Sequence, residues 1–459
     1  MTAVSLQRCD ACGAEFDARA LHVQCTRCGG LLALRHPLPI ARGVALQARF
    51  DDRLRAAAPG YVAGRQGASH HGSAHLADLS ARASGVWRFR ELILPGVDDA
   101  DVVSHPEGNT PLLHRPAVAR WAGVDDLLLK HDGHNPTGSF KDRGMTVALT
   151  QARRAGARAV ACASTGNTSA ALAAYAALAG LPALVLVPAP RAGAQQVAMG
   201  KLAQTLAYGA RTLLVRGDFD DCLRLVREGA ERLGVYLVNS VNPYRIEGQK
   251  SVAFEILQQL AWEVPDWIVL PAGNLGNTSA VGAALRDARA AGLVDRVPRV
   301  ASVQAEGAAP FAQGFQENFA APRRVRAETV ATAIKIGDPA SWARAVRVIR
   351  ETDGVVTTVS DAELLEAKAA VDAAGVGCEP ASAASVAGVR RLVRDGLVAP
   401  GDRVVAILTG HVLKDPGVLL DYHRAGHDAP LVNAPAEVDA TLDALAAVVD
   451  ALAAGAPSA

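Results

Sequence analysis

The sequence predicts an α/β protein with two open parallel-sheet domains, helices on both faces of each sheet, and a small cysteine ribbon at the amino end. Three observations lead there. From about residue 110 to residue 415, apolar β-rich runs alternate with Ala-rich helical runs, the pattern of strands joined by crossover helices. Half of the residues are hydrophobic but only 4% are aromatic, and small aliphatic residues suit helices packed on a parallel sheet better than a β-sandwich. At 459 residues the chain is too long for one core, so two packed domains with appendages are expected.

The ribbon comes first. Cys9-x-x-Cys12 and Cys25-x-x-Cys28 are separated by twelve residues, and Gly13 and Gly29 follow the pairs where a tight knuckle turn is required. Four thiolates so spaced can converge on one structural zinc ion, which would supply most of the folding energy of a module with almost no core. Two disulfides, or a ribbon that has lost its metal, are the other outcomes compatible with the spacing. Cys162, Cys222 and Cys378 are scattered and read as small buried packing residues. This is reduced, cytoplasmic cysteine usage rather than a disulfide framework, and nothing at the start resembles a secretory signal.

Residues 36 to about 105 carry less pattern. Gly60 to Ala74 is rich in Gly, His, Ser and Ala and reads as a flexible loop, with His70, His71 and His75 solvated rather than metal-bound. Strands are expected at Ala159–Ala163, Ala183–Pro188, Thr212–Val215, Tyr236–Asn239, Trp267–Leu270, Arg299–Gln304 and Arg403–Leu408, and helices at Thr168–Ala179 and Lys250–Ala261. The charge-free stretch after Ser164 is long enough to cross a membrane, but Gly180 and Pro182 divide it into a helix and the strand after it. A formal charge of +1 with interspersed signs leaves no nucleic-acid footprint. Val438, Leu442, Leu445, Val449 and Leu452 predict one amphipathic helix near the end.

The chemistry concentrates where strands meet polar loops, which is where ligands sit in open α/β sheets. In Asn135-Pro-Thr-Gly-Ser-Phe-Lys141-Asp-Arg-Gly144, Pro136 and Gly138 make a turn, and Ser139 with Asp142 has the spacing of a helix capping box. Lys141 would then sit in a first helical turn, where the macrodipole lowers its pKa and favours imine formation. A capped surface helix with an exposed lysine is the plainer alternative. Ser164-Thr-Gly-Asn-Thr-Ser169 and Gly273-Asn-Leu-Gly-Asn-Thr278 each follow a strand and open a helix, so both can cradle an anion, although ordinary βα turns look alike. Thr409-Gly-His411 follows the last strand, where a hydroxyl can meet a ring nitrogen.

Together these stretches resemble a known family. Pro106-Glu-Gly-Asn-Thr-Pro-Leu112, Lys130 and the Asn135–Gly144 motif are similar to the β-family, fold type II, of pyridoxal-phosphate enzymes. The Ser164 loop, Asn239-Ser-Val-Asn-Pro-Tyr-Arg245-Ile-Glu-Gly-Gln-Lys250 and Thr409-Gly-His-Val-Leu-Lys-Asp-Pro416 resemble the threonine synthases in particular, some of which also begin with a four-cysteine ribbon. The match spans roughly residues 80 to 416. It departs from the family at Val412, where glycine is usual, and it does not reach residues 50 to 85.

The resemblance implies pyridoxal 5′-phosphate as cofactor and Lys141 as its imine-forming lysine, with Phe140 packed near the ring. It implies Asn167 at the cofactor's 3′-oxygen, Gly273, Asn274, Leu275, Gly276 and Asn277 at its phosphate, and Thr409 at its pyridine nitrogen. Ser164, Thr165, Asn239, Ser240 and Arg245 would hold the carboxylate and phosphate of a phosphorylated amino-acid substrate, and Cys9, Cys12, Cys25 and Cys28 the zinc. The implied reaction converts O-phosphohomoserine and water to threonine and phosphate, in a protein that is a homodimer as family members commonly are. Cysteate synthase, acting on O-phosphoserine, and a non-catalytic homologue are the competing expectations. The expected division is 1–35 ribbon, 36–155 with 241–430 large cofactor domain, 156–240 small domain, and 431–459 helix and tail.

Overall fold

The computed structural model describes residues 5–63, 81–189, 199–217, 219–424, 429 and 431–455. The amino-terminal strands β1 (Leu6–Cys9), β2 (Glu15–Asp17) and β3 (Leu32–Arg35) form an antiparallel sheet in the order β2-β1-β3. Two strands of a larger sheet follow, β4 (Leu112–His114) and β5 (Asp126–His131). The chain then leaves to build β6 (Ala159–Ala163), β7 (Ala183–Pro188), β8 (Arg211–Val215) and β9 (Val235–Leu237), and returns as β10 (Trp267–Pro271), β11 (Arg299–Ala305), β12 (Val355–Val359) and β13 (Arg403–Leu408).

The larger sheet runs β12-β11-β10-β13-β5-β4 and the smaller β8-β7-β6-β9. All pairings are parallel except the edge strand β4, which runs antiparallel to β5. The strand period of two divides the core. Ile268, Leu270, Val405 and Ile407 pack into one apolar cluster, and Val269, Val404, Ala406 and Leu408 into another on the opposite face. Both faces are covered, which is why β10 and β13 read as continuous apolar runs rather than alternating ones. In the smaller sheet Val160 and Cys162 face one cluster while Ala161 and Ala163 face another.

The expected strands all form, within two residues at their ends. Strands β4, β5 and β12 of the larger sheet were not anticipated, nor were the three short strands of the ribbon. The helix expected at Lys250–Ala261 is Ser251–Gln259, continued from a separate turn of helix at Pro243–Gln249. Gly60–Ala63 belong to a helix, Val44–Ala63, rather than to a loop, and the remainder of the expected loop with its three histidines lies outside the described residues. The carboxy-terminal helix is Leu442–Gly455, with Leu442, Leu445 and Val449 exposed. Cys162, Cys222 and Cys378 are buried. Among the described residues no helix is long and apolar enough to cross a membrane.

The ribbon docks on the body of the molecule. Gln7, fully buried, donates through Nε2 to the Ala20 carbonyl at 3.1 Å and to Tyr244 Oη at 3.4 Å, and Tyr244 donates to the Ala18 carbonyl. His36 Nε2 meets Glu247 Oε2 at 3.2 Å, and Arg344 holds Asp10 at 2.6 Å and the Leu32 carbonyl at 2.8 Å. Tyr244 and Glu247 lie on the short helix that also carries Arg245.

Candidate active site

The carboxyl ends of β5, β6, β9, β10 and β13 open onto one cleft of about 910 Å³. Phe140, Lys141, Ser164, Thr165, Asn167, Asn239, Ser240, Arg245, Gly273, Asn274, Leu275, Gly276, Asn277 and Thr409 all line it, so every residue expected to hold cofactor or substrate reaches the same space.

Lys141 is the first residue of the helix Lys141–Arg154. The expected capping box does not form, because Asp142 turns back to accept from Thr137 N at 2.7 Å and Thr137 Oγ1 at 2.5 Å, leaving the helix start without a side-chain cap. Those bonds fix the turn Asn135–Gly138 instead, with Gly138 at φ 83°. The segment after β13 clamps the other side: Phe140 N donates to the Thr409 carbonyl and His411 N to the Gly138 carbonyl, both at 2.9 Å. Lys141 Nζ lies 3.9 Å from the Phe140 ring centroid. The residue keeps partial access to the cleft, but the protein atoms crowded around its amine push its pKa down to about 7. Desolvation is the largest cause, Arg245 adds to it, and Glu379 opposes it; the helix start is not the main reason.

The loop after β10 forms the second wall. Leu275 takes φ 63° and the helix Gly276–Ala290 starts immediately after it. A Cβ at Gly273 would lie 2.9 Å from Ile334 Cα, so close backbone approach excludes a side chain there, whereas Gly276 leaves ordinary space. Asn274 ties the loop down, accepting from Ala340 N at 2.6 Å and donating to Ser240 Oγ at 2.5 Å. Both side-chain polar atoms of buried Asn277 have no protein partner. A helix start with free amide donors and a glycine backbone fits a phosphate group.

Opposite, Asn239 spends its amide on the backbone of Ala163, accepting from its N–H at 3.1 Å and donating to its carbonyl at 3.0 Å. It therefore holds the Ser164–Asn167 loop in place. Arg245 is 2% exposed, donates Nη1 to the Val238 carbonyl at 3.1 Å, and leaves Nε unpartnered. Burial lowers its pKa to about 10, so it stays cationic at neutral pH. Gln249 Oε1 on the same helix is also unpartnered and lines the cleft. A buried cation with an unpartnered N–H is a donor that a phosphate dianion satisfies.

Beneath the lysine helix, Arg143 donates to Asp132 at 2.7 Å and to Glu255 at 2.8 Å, and Lys130 donates to Glu255 at 2.7 Å. All four are fully buried, two of each sign, and they lock β5 to the helices at 141–154 and 251–259. Lys130 appeared in the sequence as part of a motif without an assigned task. This network is it.

The motifs missed Glu379 and Gln204 and gave no task to Lys414, and all three line the cleft. Glu379 precedes the helix Pro380–Arg394 and accepts from Asn167 Nδ2 at 2.9 Å. Its only sequence signal is an acid directly before an Ala- and Ser-rich helix. Val412, the departure from the family pattern, packs over Gly377 and does not line the cleft. At the ribbon the four cysteine sulfurs lie within 4.8 Å of one another, and no disulfide joins them.

An imine-competent lysine, a phosphate cradle and an amide facing one cleft at parallel strand ends define a site for a phosphorylated aldehyde cofactor. The family described as pyridoxal-phosphate dependent enzyme matches residues 103–410, and the chain belongs to it. A threonine synthase of Methanosarcina acetivorans is 41% identical over 440 residues, which are 95% of this chain and 97% of the relative. One of Synechocystis sp. is 50% identical over 341 residues, 72% of this chain and 85% of the relative. The solved threonine synthase of Escherichia coli shares the fold at a TM-score of 0.66 with 18% identity, over 96% of this chain and 94% of that one. Within the larger family, this chain belongs with the threonine synthases.

Proposed function

We propose that the cleft converts O-phosphohomoserine and water to threonine and phosphate, with Lys141 as the amine that carries pyridoxal phosphate and moves protons. The observation that carries this reading is the pairing of two separate anion sites around one lysine, the Gly273–Asn277 loop on one side and buried Arg245 with its unpartnered Nε on the other. One suits the cofactor's phosphate, and the other a second phosphate on the substrate.

The bound cofactor would supply an electron sink for charge developed at the substrate's α-carbon. The rest is done by this chain. Asn277 and the loop amides hold the cofactor phosphate, Asn167 donates to its 3′-oxygen, and Thr409 faces its ring nitrogen. The amides and hydroxyls of Ser164 and Thr165 take the substrate carboxylate, placed there by Asn239. Arg245 grips the leaving phosphate, with Ser240 alongside and fixed by Asn274. The Lys141 amine, with a pKa near 7, can accept and return protons at the α- and β-carbons at neutral pH. Phosphate leaves the γ-carbon and water adds at the β-carbon, so the overall reaction is an isomerising exchange of phosphate for hydroxyl.

The Cys9, Cys12, Cys25 and Cys28 cluster suits one tetrahedral zinc ion, held for structure. The domain division that best accommodates the sheets is a ribbon to residue 35, a large domain of 36–155 and 241–430, a small domain of 156–240, and a terminal helix and tail. A cytoplasmic homodimer is the form we take the protein to have, since its cysteines are free and its family is commonly dimeric. The test is a paired assay of phosphate release from O-phosphohomoserine and O-phosphoserine. Threonine formed in step with phosphate from the first supports the reading. Turnover confined to O-phosphoserine would instead make the protein a cysteate synthase.

A further inference from the structure

Glu379 is a buried acid at the cleft whose partners are an amide and a hydroxyl rather than a cation. It is 2% exposed. Its Oε2 accepts from Asn167 Nδ2 at 2.9 Å, and its Oε1 lies 3.1 Å from Thr409 Oγ1. One carboxyl thus spans the two side chains assigned to the 3′-oxygen and the ring nitrogen of the cofactor. Its place is built in. A Cβ at Gly410 would lie 2.3 Å from Glu379 Cδ, and Glu379 N donates to the Gly410 carbonyl at 3.0 Å.

The Thr409 hydroxyl carries a single hydrogen, and that decides what the ring nitrogen meets. If Glu379 were ionised, both of its oxygens would accept, Thr409 would donate to Oε1, and the nitrogen would face a lone pair. It would then need its own proton to make a bond. If Glu379 is neutral, Oε2 must still accept from the Asn167 amide, so the acid proton lies on Oε1 and is donated to Thr409 Oγ1. The Thr409 hydrogen is then free for the nitrogen, which stays unprotonated. Ser382 Oγ, 3.0 Å from Thr409 Oγ1, already accepts from Gly410 N at 2.9 Å, so its hydrogen can also point toward Thr409 and reinforce this arrangement.

We propose that Glu379 works as a neutral acid, a positioning residue that aims the Thr409 hydroxyl at the cofactor's ring nitrogen and keeps that nitrogen unprotonated. The proposal rests on the pyridoxal site assigned above. Burial raises the Glu379 pKa and Asp415 adds to it, while the bonds from Asn167 and Thr409 and the charge of Lys141 oppose it. Lys414 also lies within electrostatic reach. Burial is the largest of these and the carboxyl has no ion-pair geometry to offset it.

The experiment reconstitutes the enzyme with pyridoxal phosphate labelled with nitrogen-15 in the ring and reads the nitrogen resonance, together with the infrared carbonyl band of a neutral carboxylic acid. Wild type should show an unprotonated nitrogen and an acid band that Glu379→Gln removes. Glu379→Gln should keep the nitrogen unprotonated, because its carbonyl can face Asn167 and its NH₂ can face Thr409 as the acid does. Glu379→Met should weaken cofactor binding about tenfold, since it removes the acceptor that holds the Asn167 amide. A protonated nitrogen in wild type, a nitrogen resonance that changes in Glu379→Gln, or full cofactor affinity in Glu379→Met would each overturn the proposal. Borohydride labelling of Lys141 in the same samples separates this failure from failure of the site itself, for which the label would lie elsewhere.

Discussion

Replacing Arg245 by leucine should separate the two anion sites. The guanidinium is buried, keeps one bond to the Val238 carbonyl, and has an unpartnered Nε, so it has one or two donors to give to a substrate phosphate. Hydrogen bonds to a charged group contribute roughly 1.5–3 kcal/mol each. Losing two corresponds to a fall in kcat/KM of about 10² to 10⁴ for the phosphorylated substrate. The cofactor should bind within about threefold of wild type, because its phosphate is assigned to the Gly273–Asn277 loop and the lost bonds would not be its own. A second signature is independent of substrate. Arg245 helps to depress the Lys141 pKa, so the variant's amine should titrate above its present value of about 7. The assay is steady-state kinetics with coupled phosphate detection, beside a cofactor titration of the apo-protein. An unchanged KM with intact cofactor binding would place the substrate phosphate elsewhere and refute this division of labour.

Other consequences follow from the same geometry. Capture of pyridoxal phosphate by apo-protein needs a neutral amine, so its rate should rise with pH and level off just above about 7, measured by stopped-flow absorbance; an ordinary lysine would still be gaining near pH 10. Glu255→Gln removes the anion shared by Lys130 and Arg143 and should cost about 3–5 kcal/mol in urea unfolding, because it strands buried positive charge. The Glu255 pKa is depressed in the folded state, so its stabilisation is complete above the ordinary value of 4.5 and lost as pH falls below it; the variant's acid limb should be flatter in that window. Stripping the proposed zinc from the ribbon should free Tyr244 and Glu247 from their amino-terminal partners, raising KM for the phosphorylated substrate while the cofactor's absorbance persists.

The sequence carried most of this because parallel-sheet sites advertise themselves. Strands buried on both faces stay apolar from end to end, and the ligand loops follow them directly as Gly, Asn, Ser and Thr clusters. Ser164–Asn167, Gly273–Asn277 and Thr409 were legible for that reason. What stayed hidden depends on distant contacts. Strand β5 places polar Asp126, Lys130 and His131 around its apolar centre, and a buried Lys130 is made tolerable by Glu255, Gln259 and the Thr110 carbonyl, which come from distant segments. Asp142 has capping-box spacing, yet the turn at Thr137 claims its carboxylate. Glu379 looks like a helix-flanking acid until the fold brings Asn167 and Thr409 to it from two other segments. The ribbon was readable as a module, but its grip on the Arg245 helix runs through Gln7, Ala18 and His36, outside the cysteine pattern.

The central claim is that Lys141, rather than any other buried amine, carries the cofactor. Borohydride reduction of the holo-protein followed by peptide mass mapping tests it directly. A single pyridoxyl group on Lys141, absent from Lys141→Ala, is the predicted result. A label on Lys130, Lys250 or Lys414, or a Lys141→Ala protein that still makes threonine, would contradict it.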